Sequence, residues 1–403
     1  MKEPQKTLRE EFPMLCSHPE WIYLDNAATT QKPAAVIQRM AQSYCDENAS
    51  IYRGNDPHSL QAEQRYEEAR TVVQRWLGAS APEEIVFTKS STEALNLVAS
   101  GLGQGLLQKG DNVVVTELEH SAAFYPFREV CRRTGAEFRV VPAQRNGTVS
   151  TADVARLLDA RTRLFCMTAM SNVTGWRPPV AQWAALAHRH GAWVMVDATQ
   201  AAAHGSLDVR ESGCDLLSFS AHKVYGPTGC GVLYGRAEIL RQLPPLLYGG
   251  GMLLPDGNGS VCWKDPPQRF EGGTPDTAAV AGLAAALAYL QTRDFPALCA
   301  REQQLSAYLR QGLAKIPGLR VLGPGAPSPV TSFILDGWDP YDLGVLLGQA
   351  NIAVRCGAHC AYPLMERLGL QSCCRISLGI YNTQDEIDVL LAQLRSLVGG
   401  GVP

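Results

Sequence analysis

Asp197 and Lys223 are the residues from which chemistry is most readily built. Trp193-Val194-Met195-Val196 is an apolar run ending on Asp197-Ala198-Thr199-Gln200. Leu216-Leu217-Ser218-Phe219 ends on Ser220-Ala221-His222-Lys223 before a Gly/Pro turn. An acid and a lysine at the ends of two buried strands suit pyridoxal phosphate. The lysine forms a Schiff base with the cofactor aldehyde. The aspartate keeps the pyridine nitrogen protonated, so that the ring draws electrons from the substrate's α-carbon. Lysines are few, at positions 2, 6, 32, 89, 109, 223, 264 and 315, which narrows the choice. Singly, a strand-end aspartate and a solvated lysine are commonplace, and on this pair alone that blander alternative stands.

A cradle for the phosphate lies upstream. Thr88-Lys89-Ser90-Ser91-Thr92-Glu93 follows an apolar strand and opens a helix, where free N–H groups and the helix dipole attract an anion. Ser/Thr followed by Glu is also a helix-capping pattern, and both roles are compatible. No Walker sequence is present, and Gly101, Gly103 and Gly105 do not form G-x-G-x-x-G after a strand, so nucleotide readings are weak.

The elements that must position these groups alternate. Strands are expected over 85–87, 112–116, 138–141, 163–168, 193–196, 216–219 and 231–234, with helices over 92–108, 122–134, 152–158 and 180–190. That order predicts an α/β domain with a mostly parallel sheet and its functional residues in loops at the carboxyl ends of strands. A Gly/Pro-rich stretch over 249–275 reads as a long functional loop. Helices over 277–290, 297–313, 341–350 and 383–398 and a strand over 330–335 follow, with a domain boundary near residue 290.

The chain has 403 residues, enough for two domains at roughly 150 residues each. Apolar residues make up 46% and charged residues 19%, which excludes a disordered or fibrous protein. A net charge of -3 provides no basic field for nucleic acid. Met1-Lys2-Glu3-Pro4-Gln5-Lys6 has no apolar run behind its charges, and the longest apolar run falls short of the ~20 residues that span a bilayer. A cytoplasmic protein is expected, with its twelve cysteines reduced.

Several spaced motifs occur in order. They are Phe87-Thr88-Lys89-Ser90-Ser91-Thr92-Glu93-Ala94, Glu119-His120, Ser171-Asn172-Val173-Thr174-Gly175, Val196-Asp197-Ala198-Thr199-Gln200 and Ser220-Ala221-His222-Lys223-Val224-Tyr225-Gly226-Pro227-Thr228-Gly229. Arg269-Phe270-Glu271-Gly272-Gly273-Thr274-Pro275, Arg355-Cys356-Gly357-Ala358-His359-Cys360-Ala361 and Cys374-Arg375-Ile376-Ser377 complete the set. Together they resemble the cysteine desulfurase/selenocysteine lyase group of class V aminotransferase-fold enzymes, in particular its Suf-type branch, over nearly the whole chain.

The resemblance implies a fold type I PLP-dependent transferase. A large α/β domain (21–290) with a mostly parallel central sheet would bind the cofactor. A smaller α+β domain (291–403, with 1–20) would carry the catalytic cysteine loop. Lys223 would bond pyridoxal 5'-phosphate, Asp197 would pair with its ring nitrogen, Gln200 with its phenolic oxygen, and His120 would stack on the ring. Ser91, Thr92, Ser220 and His222 would hold the phosphate, and Thr274 would reach the phosphate of a neighbouring subunit in a homodimer. Asn172 and Arg375 would take the substrate carboxylate. The reaction implied is removal of sulfur from L-cysteine to give L-alanine and a persulfide on Cys360. That sulfur would pass to an acceptor protein of the SufE-like kind for iron–sulfur cluster assembly or sulfur trafficking, with L-selenocysteine as a second substrate.

Weighed alone, Cys360 is one of twelve cysteines, and a free cysteine is usually a small buried hydrophobe. The flanking Gly357 and Ala358 allow close approach, and Arg355 and Arg375 would favour its thiolate. Cys356, His359, Cys360, Cys373 and Cys374 also suggest a metal, but the C-x₃-C…C-C spacing is not that of paired zinc knuckles, and no metal is expected. Two positions depart from the family pattern: Ser121 follows His120 where the branch has a second histidine, and Asp56 occupies a histidine place. The alternatives are an aminotransferase, epimerase or kynureninase-like lyase of the same fold without persulfide transfer, and a scaffold that lost the chemistry.

Overall fold

A computed structural model of the chain describes residues 8–258 and 260–399, so Met1–Lys6, expected above to be no export signal, lie outside the described residues. After a short strand β1 (Ile22–Tyr23) come β2 (Ile85–Thr88), β3 (Asn112–Thr116), β4 (Glu137–Val141), β5 (Thr162–Thr168), β6 (Trp193–Asp197), β7 (Leu216–Ser220) and β8 (Gly231–Gly235). Strands β2 to β8 form one seven-stranded sheet in the order β2-β8-β7-β6-β5-β3-β4. Only β8 runs against its neighbours. The expected mostly parallel α/β sheet is present.

Alternation along these strands divides the core in two. Val114, Phe165, Met167, Val194, Val196, Leu217 and Phe219 enter one apolar cluster. Val113, Val115, Leu164, Cys166, Met195, Leu216 and Leu233 enter the other. Both faces of the sheet are therefore covered, as a parallel sheet with helical crossovers requires.

A hairpin of β9 (Leu253–Pro255) and β10 (Val261–Trp263) stands within the Gly/Pro-rich stretch, read above as loop. Beyond it lie β11 (Leu319–Val321), β12 (Val330–Leu335), β13 (Ile352–Ala353), β14 (Arg355–Gly357) and β15 (Cys373–Ser377). An antiparallel four-stranded sheet has the order β11-β12-β15-β14, and β13 pairs in parallel with β1. Phe333, Leu335 and Ile376 of this sheet pack on Leu305, Leu309 and Leu313 of the Phe295–Leu313 helix and on Leu390 and Leu394 of the Gln384–Gly399 helix.

Two long helices, Ala34–Cys45 and Pro57–Leu77, were not expected, nor were the short helices Pro13–Ser17, Val209–Ser212, Ala237–Leu240 and Tyr362–Arg367. The Pro57–Leu77 helix buries Ala62, Tyr66, Ala69, Val73 and Leu77, one stripe at helical spacing inside a polar segment. Asp56 caps it, accepting from the N–H groups of His58 (3.0 Å) and Ser59 (3.1 Å), with Pro57 in the first turn. That gives the Asp56 departure a local reason. The helix expected over 92–108 instead runs Ser91–Gly101 and ends in a wide turn, with Gly105 at φ 117. No helix among the described residues is long and apolar enough to cross a membrane.

Candidate active site

The carboxyl ends of β5, β6 and β7 open on a cavity of about 540 Å³. Asp197, the last residue of β6, is buried there, and its Oδ1 accepts the Thr199 N–H at 3.0 Å. Ser220 ends β7, and the tight turn Ala221–Lys223 carries His222 and Lys223 to the cavity wall. Ser218 and Ser220 share one face of β7. The Ser91 N–H donates to Ser220 Oγ at 2.9 Å, and the Ser91 and Ser218 hydroxyls lie 2.7 Å apart. This ties the N-terminus of the Ser91–Gly101 helix to the strand end, with Ser90, Ser91 and Thr92 lining the cavity. A side chain at Gly231 on β8 would collide with this turn, its Cβ falling 2.5 Å from the Ser90 carbonyl carbon.

Burial sets the charges. Desolvation, reinforced by Arg375, pushes the Lys223 ammonium down to about 8. His222 falls to about 4 through burial and the nearby Lys223 and Lys32, so its ring is neutral at pH 7. Burial also lowers His120, whose Nδ1 accepts the Ala122 N–H at 3.1 Å and so leaves the proton on Nε2. Fully buried Glu119 is raised to about 8, chiefly by desolvation. It accepts from the Thr116 hydroxyl (2.6 Å) and the Thr168 N–H (3.0 Å), while its Oε2 has no partner.

The small sheet supplies the opposite wall. Arg375 of β15 is 3% exposed and donates to the Asn172 carbonyl at 3.1 Å, while its Nε is buried without a partner. Arg355, its neighbour on β14, grips the Asp25 carboxylate through Nε (3.0 Å) and Nη2 (2.8 Å). Asp25 also lies 3.5 Å from Arg375, so it offsets part of the positive charge expected to act on Cys360. The Asn172 amide donates to the His359 carbonyl at 2.7 Å. Cys360 is exposed on the loop after β14, beside the cavity.

A model of the aminotransferase class-V family matches residues 22–390. The chain belongs to that family. Curated relatives named cysteine desulfurase include one from Cronobacter sakazakii, 42% identical over 394 residues (96% of each chain). Another, from Klebsiella pneumoniae subsp. pneumoniae, is 42% identical over 402 residues (97% of this chain, 98% of the relative). Among solved structures, apo cysteine desulfurase from Thermococcus onnurineus NA1 superposes with a TM-score of 0.93 at 32% identity, covering 98% of this chain and 99% of that one. The cysteine desulfurase CsdA (S-sulfonic acid) from Escherichia coli does so with a TM-score of 0.89 at 35% identity, covering 96% of each.

Class-V enzymes of this group use pyridoxal 5'-phosphate, and the donor set fits it. The helix N-terminus and the serine hydroxyls suit a phosphate, and a buried acid faces a lysine across the same cavity. Lys223, Cys360, His120, Ser91, Thr92, Asp197, Gln200, Ser220, His222, Asn172 and Arg375 all line that one cavity. Thr274 does not. It lines a second cavity of about 430 Å³ with Lys89 and Glu271. Reading the sequence missed Asp25 and Ser218. Ser218 was visible as the same-face neighbour of Ser220, whereas the tie from Asp25 to two distant arginines has no local signature. No group of three or more His, Cys, Asp or Glu side chains suited to a metal occurs among the described residues.

Proposed function

We propose that the chain is a pyridoxal-phosphate-dependent cysteine desulfurase that moves the sulfur of L-cysteine onto Cys360 and releases L-alanine. The observation that carries this reading is the convergence of Lys223, Asp197, Arg375 and exposed Cys360 on one cavity. Relatives named cysteine desulfurase, 42% identical over nearly the whole chain, support it.

Lys223 would bond the cofactor, with Asp197 at its ring nitrogen, Gln200 at its phenolic oxygen and His120 over its ring. Ser91, Thr92, Ser220 and His222 would hold its phosphate. When bound, pyridoxal phosphate supplies an electron sink for charge developing at the substrate's α-carbon. The chain's own groups do the rest. Arg375, with a free buried Nε–H, and Asn172 would orient the carboxylate. Lys223 Nζ, its ammonium lowered to about 8, gives and takes a proton readily near neutral pH, as an acid–base group for the α-proton must. The Cys360 thiolate attacks the substrate sulfur. The carbon–sulfur bond breaks as the sulfur–sulfur bond forms, so one enzyme thiol and one L-cysteine give one persulfide and one L-alanine.

The finer parts of the reading are a homodimer with Thr274 at the neighbouring subunit's phosphate, a cytoplasmic setting, L-selenocysteine as second substrate and a SufE-like acceptor feeding iron–sulfur assembly. The position of Thr274 outside the main cavity is compatible with its serving a second subunit. A division into 21–290 and 291–403 with 1–20 is a further part of the proposal. The small sheet has an apolar cluster of its own on one face, while a cluster on the large sheet continues into Leu322, Leu364, Cys373 and Tyr381, and Phe12 packs there against Tyr225, Tyr289 and Tyr381.

Purified holoenzyme given L-cysteine tests the function, with alanine and protein-bound persulfide quantified together. Equal amounts in the first turnover are expected. Pyruvate, or racemised cysteine without alanine, would instead point to a lyase or epimerase of the same fold.

A further inference from the structure

Cys356 and Cys374 face each other across the antiparallel pair β14–β15, with their sulfurs 3.3 Å apart. Among the described residues no other two cysteine sulfurs are in contact. Neither residue has a part in the chemistry above, yet Cys356 lines the active cavity.

Their surroundings make them unequal. Cys374 is 1% exposed in the small-sheet core, and its thiol points to the Pro340 carbonyl at 3.2 Å and to Cys356. Cys356 is only half-buried. Its sulfur occupies space left by Gly344, whose Cβ, if present, would lie 2.6 Å away. The single Cys374 proton is shared between the Pro340 carbonyl and Cys356; where it points to Cys356 it pulls that thiol below the usual range, and the contact with Cys356 and burial push Cys374 up. Cys356 is the more exposed residue of the pair, and the buried Cys374 sulfur is held directly behind it. Cys373, next along β15, faces the opposite side of the sheet, and burial pushes it up to about 12.

We propose that Cys356 and Cys374 are a hydroperoxide-reactive dithiol that closes to a disulfide beside the active cavity. The Cys356 thiolate attacks one oxygen of hydrogen peroxide. The O–O bond breaks, giving a sulfenic acid and, after proton uptake, one water. Cys374 then attacks the Cys356 sulfur, the S–O bond breaks, and the second water leaves with the Cys374 proton. Two thiols are oxidised and one peroxide is reduced. Closure to about 2.05 Å asks little of residues already opposite each other on paired strands. The crosslink would lie one residue from the Arg355–Arg375 pair, on the strand that runs into the Cys360 loop.

The test uses holoenzyme not yet exposed to cysteine. It is treated with hydrogen peroxide, alkylated and digested with trypsin without reductant. Cuts after Arg355, Arg367 and Arg375 release peptides 356–367 and 368–375. The expected product is these two peptides linked, lighter by two hydrogens than their sum and separated by dithiothreitol, with fragmentation placing the link between Cys356 and Cys374. Cys360→Ala should keep the link, and Cys356→Ser should lose it while Cys374 stays alkylatable. A link through Cys360 or Cys373 would overturn the proposal. So would Cys356 as a sulfinic or sulfonic acid with Cys374 reduced, or both thiols intact while Cys360 oxidises. The parental map decides alone, so a poorly folding variant changes nothing.

Discussion

Ser121 holds the backbone of Cys360 with two donors: its N–H at 2.7 Å and its hydroxyl at 2.8 Å both reach the Cys360 carbonyl. His359 and Cys360 both sit in the left-handed region, at φ 51 and 55, which L-residues other than glycine adopt at a cost. Asn172 holds the His359 carbonyl, so a loop and a helix N-terminus beside the large sheet keep a strained segment of the small one in place. The departure at Ser121 is thus a contact to the cysteine loop.

Ser121→Ala removes the hydroxyl and keeps the N–H. A hydrogen bond of about 1 kcal/mol corresponds to an about fivefold lower ratio of held to free loop. Alanine formation at saturating cysteine should fall, by at most about that factor, with cofactor absorbance and KM unchanged and with recovery in Ser121→Thr. Steady-state kinetics of the three proteins measures this, and an unchanged kcat would remove Ser121 from the positioning role.

Arg375 offers its unpartnered Nε and a planar fork to the substrate carboxylate. Arg375→Lys keeps the charge but loses the fork. At about 1.5–3 kcal/mol for a hydrogen bond to a charged group, KM for L-cysteine should rise about 10- to 100-fold, more than kcat falls. Competition by a carboxylate-bearing analogue, read by cofactor absorbance, should weaken in parallel.

Glu119 sets part of the pH dependence of stability. Its folded pKa of about 8 lies above its ordinary 4.5, so the folded chain holds more protons in that window and loses stability as pH rises through it. His222 at about 4 and His359 at about 3 act oppositely: between those values and 6.5 the unfolded chain binds more protons, so stability rises with pH. Below pH 6.5 the two histidines oppose the glutamate; from 6.5 to 8 the glutamate acts alone among the three. Glu119→Gln should therefore abolish a decline between pH 6.5 and 8, measured by urea unfolding of cofactor-free protein. Parallel curves for parent and variant would refute the raised pKa.

Much of this arrangement was legible where one short segment carried it. Strands over 112–116 and 330–335 run as expected because apolar runs are bounded by polar turns. The strand-end positions of Asp197 and Ser220 followed from the same pattern. Pro57–Leu77 was missed because Gln, Glu and Arg outnumber the buried stripe, although Asp56 and Gly78 mark both its ends. What stayed hidden were contacts between segments far apart in the chain: Asp25 with Arg355 and Arg375, and Ser121 with Cys360. No local pattern encodes them.

Borohydride reduction of the holoenzyme, followed by peptide mapping, should fix the cofactor on Lys223 alone. Lys32 is the instructive control, because burial lowers it too to about 8, but it already donates to the Thr29 hydroxyl at 3.1 Å and to the His222 carbonyl at 3.2 Å. A label on Lys32 would move the site to the segment that leads into the Ala34–Cys45 helix.

Cys360→Ala separates sulfur transfer from other pyridoxal-phosphate chemistry. The contacts that hold the loop involve the backbone carbonyls of His359 and Cys360, so the substitution leaves the Ser121 and Asn172 anchors in place. Lys223, Asp197 and Arg375 are untouched. The variant should therefore bind cofactor normally and change its absorbance when L-cysteine is added, yet form neither persulfide nor stoichiometric alanine. A merely structural cysteine behaves otherwise: this one is exposed, so its loss would cost little stability and leave turnover per folded subunit intact. Alanine per cofactor-loaded subunit and the mass of the peptide around residue 360 provide the two readouts. Parental turnover in the variant would exclude Cys360 as the sulfur acceptor and leave a class-V lyase of another kind.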